Sequence, residues 1–303
     1  MSQPIIQARN LWKEYGEHCV LERLNISVNA GEFVTLVGAS GCGKSTFLKL
    51  LLGTETPSRG ELLLDGQPLP AEPDPERGIV FQRYSVFPHL TALQNVMLAD
   101  ELAASPLLGR LFGQRKQAAR EKAEAMLEQV GLTHARDRYP AELSGGMQQR
   151  LAIAQALMKQ PRILLLDEPF GALDPGIRGD MHQLIQRLWQ EQGLTIFMVT
   201  HDLKEGFALG SRLWVFDKLR HDPQQPLRYG ARITYDIPLL HGQLPRDFKL
   251  AGVAAADLAN ASTRAETLAL SLRRSDATAE LVAAGAPGLD GTLPESLHVS
   301  GGW

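Results

Sequence analysis

The sequence predicts an α/β domain built on a mostly parallel sheet. Two observations carry this. Apolar runs of strand length alternate with segments of helical periodicity from residue 1 to about 217, and strands alternating with helices pair in parallel. One such strand also enters a helix through a Gly-rich turn. In chain order, Phe33 to Val37 reads as a short buried strand and Lys44 to Leu52 as the helix beyond that turn. From about Thr91 to Tyr139 no strand-like run occurs. Ala119, Ala123, Met126, Leu127 and Val130 have helical spacing there, so a helical insertion is expected. Ile163 to Leu166 and Thr195 to Val199 are further strands. Between them Ile177, Met181, Leu184, Ile185 and Leu188 form one apolar stripe on a helix over Gly176 to Gln192. Asp174 and Pro175 stand where its N-cap and first-turn proline belong.

Beyond residue 217 the composition changes. Arg232 to Ile237 reads as an edge strand before Pro238. After Ala251 the chain is rich in Ala, Ser, Thr and Gly, with only a weak alternation at Leu268, Leu270 and Leu272, so a poorly ordered or helix-prone tail without its own core is expected. The whole chain has 303 residues, which suggests one or two domains. Its net charge of −3 argues against a nucleic-acid partner. Hydrophobic residues at 44% and charged residues at 21% exclude global disorder. No apolar run approaches the roughly 18 residues of a membrane span. Met1 to Asn10 has neither the basic start nor the apolar stretch of a secretory signal. Two cysteines, Cys19 and Cys42, cannot make a disulfide framework, and a reducing cytosol is expected.

Three segments carry chemistry. Gly38-Ala39-Ser40-Gly41-Cys42-Gly43-Lys44-Ser45, followed by Thr46, fits G-x-x-x-x-G-K-[ST]. Phosphate oxygens need several N–H donors at once, and a tight Gly-rich turn at a helix N-terminus frees them. Lys44 would reach the β- and γ-phosphates, and the Ser45 hydroxyl would ligate Mg²⁺. Ile163 to Leu166 ends in Asp167-Glu168: one carboxylate can hold Mg²⁺ through water, the other can orient or deprotonate an attacking water. Leu143-Ser144-Gly145-Gly146-Met147 opens a helix and offers a second anion site or an ordinary N-cap.

This ordered set resembles the ATP-binding subunits of ABC transporters over about residues 4 to 217. The resemblance implies a P-loop NTPase ABC cassette: a RecA-like core, a helical signature subdomain at about 91–159 and an antiparallel β subdomain, with 218–303 as a C-terminal extension. Leu143 to Met147 is similar to the family's signature, where Met147 replaces the usual Gln. Asp167 then takes the Mg²⁺ role and Glu168 that of general base. Tyr15 resembles the aromatic that stacks on adenine, with Trp12 a competitor expected in the core. Gln82 resembles the glutamine that touches Mg²⁺ or the attacking water. Asp174, in Ala172-Leu173-Asp174, resembles the D-loop acid that crosses the dimer interface, and His201 the histidine that contacts the γ-phosphate. The other seven histidines are expected at the surface or in the core.

The resemblance further implies ATP and Mg²⁺ as cofactors, and a head-to-tail pair, with itself or a sibling, in which Ser144, Gly145 and Gly146 act on the partner's ATP. It implies membrane permease subunits, an extracytoplasmic solute-binding protein behind them, and a peripheral position on the cytoplasmic face of the inner membrane. Phe170 to Pro175 and the Ser-Gly-Gly-Met variant look like the nitrate, sulfonate and taurine importer branch; Val199 to Pro238 looks like its urea- or guanidine-associated members. An exporter subunit and a soluble non-transport ATPase are the alternatives. Two side features stay open on sequence grounds. Cys42 offers a redox brake or a small tolerated side chain, and Arg110, Arg115, Lys116, Arg120 and Lys122 offer a lipid-facing patch or a solvated helix face.

Overall fold

The computed structural model describes residues 3–82, 85–104, 111–220, 222–225 and 227–239. Arg83, Arg110 and the tail from Ala251, with its three alternating leucines, lie outside them. The strands are β1 (Ile6–Tyr15), β2 (His18–Val28), β3 (Phe33–Gly38), β4 (Arg59–Leu64), β5 (Gln67–Pro68), β6 (Arg77–Val80), β7 (Ile163–Asp167), β8 (Thr195–Val199), β9 (Arg212–Asp217) and β10 (Arg232–Pro238). The helices are α1 (Lys44–Leu52), α2 (Ala92–Ala104), α3 (Gly113–Gln129), α4 (Gly145–Leu157), α5 (Pro175–Gln192) and α6 (Leu203–Leu209).

Two sheets form. The larger has the order β10-β9-β3-β8-β7-β6, parallel throughout except for β10, which pairs antiparallel to β9 at the edge. Its central strands are buried on both faces, which is why they read as continuous apolar runs. The smaller sheet, β2-β1-β4-β5, is antiparallel. Register shifts break β1 against β2 at three places, so its period-2 alternation is not clean in the sequence.

One core cluster joins β7 and β8 to α2, α3, α4 and α5; a second packs the small sheet and α1 against the other face of the large one. Phe47 of α1 meets Phe197, Trp214 and Phe216 at ring distances of 5.8–6.3 Å. The described part of residues 91–159 holds α2, α3, α4, short 3-10 turns at Thr133–Ala135 and Pro140–Glu142 and loop residues, without a strand. The basic residues of α3 are ion-paired in part, Arg120 with Glu124 at 3.1 Å and Lys122 with Asp100 at 3.4 Å. Trp12 is not in the core. It is half-exposed, with the Arg59 guanidinium stacked 4.0 Å from its ring centre.

Residues after 217 add to the same sheet. Arg212 holds β10 through Asp236 at 2.6 Å and reaches Glu32 at 2.9 Å. Between β9 and β10 the chain lies along the open edge of β2: Leu227 O accepts from Cys19 N and Ala231 O from Glu22 N, each at 2.9 Å. Glu22 is buried and accepts from Arg220, Arg232 and the Gly230 N–H. The compact unit runs from Met1 to Gln243, so the strand expected outside the cassette is the edge of its main sheet.

Candidate nucleotide site

The site stands at the carboxyl ends of β3, β7 and β8, where loops leave a parallel sheet. The phosphate loop follows β3. Gly38, Gly41 and Gly43 have φ of 147°, 77° and 90°, backbone that L side chains rarely adopt. A Cβ on Gly38 would stand 2.2 Å from Phe216 O, and one on Gly43 2.7 Å from Leu21 Cδ2. The loop is therefore wedged between β9 and β2. Lys44 is buried and donates to the carbonyls of Gly38 at 2.8 Å and Ala39 at 2.9 Å. The Cys42 thiol is buried beneath the loop, and burial pushes its pKa up although Lys44 pulls it down, the opposite direction to the activated thiolate a redox brake needs.

Across the loop the Ser45 hydroxyl donates to Asp167 Oδ1 at 3.0 Å. Burial pushes the Asp167 carboxyl up, the Ser45 hydrogen bond opposes this, and the Glu168 charge adds to it. A divalent cation would relieve that strain. Hydroxyl, carboxylate and nearby amide oxygens are the hard donors Mg²⁺ prefers, and it commonly takes only one or two carboxylates beside its phosphates and waters. The residues present thus fit the ion.

Glu168 sits at φ 48°, the left-handed region, although it carries a side chain. Its N–H donates to Val199 O at 3.0 Å, which holds this backbone to the end of β8. The turn aims the carboxylate at two other expected residues: Gln82 Nε2 donates to Glu168 Oε2 at 3.1 Å, and His201 Nδ1 lies 3.6 Å from the same oxygen. Strained backbone at a carboxylate that meets two polar partners is the pattern of a functional turn. The loop glycines, Lys44, Ser45, Asp167, Glu168, Gln82 and His201 therefore form one constellation.

The other expected residues stand apart from it. Ser144 caps α4, accepting from Met147 N at 3.3 Å; Ser144 and Gly145 are exposed. Gly146 is buried against α5, where a Cβ would meet Ile177 Cγ2 at 2.5 Å. Asp174 takes the N-cap position of α5 without a side-chain cap bond, so its exposed carboxylate stays free. Among the described residues no hydrogen bond joins Ser144, Gly145, Gly146 or Asp174 to the phosphate loop. Tyr15 ends β1, opposite His18 of β2. It is exposed, carries Lys13 Nζ 4.7 Å from its ring centre, and is pushed up to about 12, first by burial and then by Glu55.

Sequence reasoning missed four residues around His201. Thr200 and Glu205 are buried and hydrogen-bonded to each other, and His182 Nε2 lies 2.8 Å from Glu205 Oε1. Arg178 donates to Leu173 O at 3.2 Å and pairs with Asp202 at 3.7 Å. The available signal was spacing: Arg178 and His182 are one turn apart on α5 and share a face.

Fold and site together define a phosphate-loop nucleotide-binding domain. A family described as ABC transporter matches residues 21–171. The aliphatic sulfonates import ATP-binding protein SsuB of Burkholderia ambifaria is 41% identical over 81% of this chain and 72% of its own length. The spermidine/putrescine import ATP-binding protein PotA of Chromobacterium violaceum is 43% identical over 70% of this chain and 56% of its own. The nitrate import ATP-binding protein NrtC of Synechococcus elongatus is 43% identical over 65% of this chain and 29% of its own. The chain thus spans 56% and 65% of the length of two PotA relatives and less of NrtC. Among solved structures, CbiO1 of Clostridium perfringens, part of an ABC transporter complex, matches with a TM-score of 0.64 and 25% identity over 78% of this chain and 88% of that one. A dimeric ATP-binding cassette bound to ADP and Pi matches with a TM-score of 0.61 and 30% identity over 78% and 99%. This chain belongs to the ABC transporter family.

Proposed function

We propose that this chain is the ATP-hydrolysing subunit of a bacterial importer of a small solute and that it works as a head-to-tail pair. The observation that carries this is the meeting of Gln82 and His201 on the Glu168 carboxylate, beside Ser45 and Asp167. Lys44 and the loop N–H groups bind the β- and γ-phosphates. Glu168 takes a proton from the water that attacks the γ-phosphorus, Gln82 orients that water, and His201 donates to the γ-phosphate as its bond to the leaving ADP oxygen breaks. When bound, Mg²⁺ at Ser45, Asp167 and Gln82 neutralises charge on the phosphates. Tyr15 stacks on adenine. Ser144, Gly145, Gly146 and Asp174, which stand away from their own loop, serve the partner's nucleotide; the dimeric form of one similar cassette supports that assignment.

Import is supported by the names of the relatives, which span polyamines, sulfonates and nitrate. The expected solute is nitrate-, sulfonate- or taurine-like, or urea- or guanidine-like, and reaches the permease from an extracytoplasmic binding protein. No helix among the described residues is long and apolar enough to cross a membrane; on this reading permease subunits supply the path. A groove lined by Val80, Phe81, Phe87, Asn95, Leu98 and Leu102 lies beside Gln82 and exposes apolar side chains for a permease loop. On this reading the chain sits on the cytoplasmic face of the inner membrane. Affinity purification of the tagged chain from detergent-solubilised membranes, followed by mass spectrometry, tests it. A multi-span permease should accompany the chain; reproducible recovery of soluble proteins alone would contradict the transport role.

A further inference from the structure

Glu205 is a buried carboxylate to which the proposed hydrolysis gives no task, yet both its oxygens are occupied. Oε2 accepts from the Thr200 hydroxyl and Oε1 meets His182 Nε2 at 2.8 Å. Thr200 Oγ1 in turn accepts from Asp202 N at 3.1 Å, which closes a turn around the intervening His201. Thr200 N donates to Leu36 O at 3.1 Å, tying the turn to β3. Asp202 caps α6 through Lys204 N at 2.9 Å and pairs with Arg178. Both residues flanking His201 are therefore fixed, while His201 itself is exposed. Outside the relay, the His182 ring packs edge-to-face with Phe170, two residues past Glu168, at 5.0 Å between ring centres. An ordinary loop residue needs none of this. A buried carboxylate must be fully satisfied to be tolerated, and once satisfied it fixes the groups around it.

We propose that Glu205, held by His182 and acting through Thr200, is a positioning residue that sets the backbone of His201 against the γ-phosphate. The inference rests on the hydrolytic reading of His201 given above. Misplacement of a reacting group by about 1 Å can lower a rate by about a hundredfold without a matching loss of binding. Loss of the relay should therefore act on turnover.

The test uses the full chain and MgATP. Glu205→Leu removes both hydrogen bonds at similar volume and should lower kcat at least tenfold with the Kd for ATP within twofold. Glu205→Gln keeps an acceptor for Thr200 and a polar partner for His182 and should restore kcat to within about threefold of the parent. His182→Leu, at a half-buried position, removes the outer bond together with the ring contact to Phe170, leaves the Thr200–Glu205 bond in place, and should cost a few-fold. In a His201→Ala background Glu205→Leu should add less than twofold, because neighbours that act through one group are not additive. Hydrogen exchange of the peptide spanning residues 199–203, read by mass spectrometry without nucleotide, should quicken at least tenfold in Glu205→Leu. Unchanged kcat, unchanged exchange, or a full further loss on top of His201→Ala would overturn the proposal. If His201→Ala itself left turnover intact, the hydrolytic reading would fail, and the exchange measurement would still decide whether Glu205 holds the turn.

Discussion

At Gly38 a single hydrogen atom in place of a methyl group decides whether the phosphate loop closes. The φ of 147° and the 2.2 Å approach to Phe216 O exclude any side chain without a shift of β9. Gly38→Ala should lower stability by about 1–3 kcal/mol, the scale of one forced backbone conformation, and a denaturant melt checks this. Lys44→Ala should weaken ATP binding at least tenfold in a titration with a fluorescent nucleotide, because the ammonium is the loop's own charge on the phosphates. Asp167 has a pH signature. Its raised pKa means that between the unfolded and folded values the folded chain binds more protons, so this group's contribution to stability falls as pH rises through that window. Asp167→Asn, neutral at every pH, should raise the nucleotide-free Tm at pH 7, and the gain should shrink toward pH 4.

The contact of α4 with α5 shows how elements carry the site. Ile177 of α5 fills the space a Gly146 side chain would need, so the signature segment docks on the helix that begins at Asp174. Gly146→Ala should cost about 1–3 kcal/mol by overpacking, and adding Ile177→Ala, which removes the Cγ2 methyl that the new side chain meets, should cost less than the sum of the two single changes, as paired melts would show. How far this was legible depends on the kind of information each element carries. The edges of α1, β8 and α5 were readable because buried parallel strands and an amphipathic stripe leave strong local patterns. The meeting of the loop with the pair Asp167-Glu168 was readable because a Gly-rich turn after one strand and two acids after another both fall at the carboxyl end of a parallel sheet. The φ of Glu168, the relay through Glu205 and the wedging of Gly38 under Phe216 were not. Each depends on contacts between separate elements, Glu168 with the end of β8, His182 of α5 with Glu205 of α6, and Gly38 with β9, which neither periodicity nor composition reports. Trp12 misled for a related reason: a tryptophan in a strand suggests core, but an arginine from β4 covers its face.

For the molecule as a whole, the segment after Asp217 is part of the cassette's stability. Glu22 is almost fully buried, and its Arg220 and Arg232 partners both come from beyond the expected boundary. A chain ended after Asp217 would strip that carboxylate of both arginines and of the segment that buries it, and would expose the edges of β2 and β9. It should melt well below the full chain, and Glu22→Gln should recover part of the difference. The same scale holds the central claim, that two copies close over ATP and that Glu168 opens them by hydrolysis. Its most direct measurement is MgATP turnover of the full chain and of Glu168→Gln, with the mass of each in solution followed by light scattering. The account predicts that Glu168→Gln keeps ATP affinity, loses turnover at least a hundredfold and accumulates as an ATP-dependent dimer. Near-normal turnover in Glu168→Gln, or a monomer at saturating ATP, would contradict it.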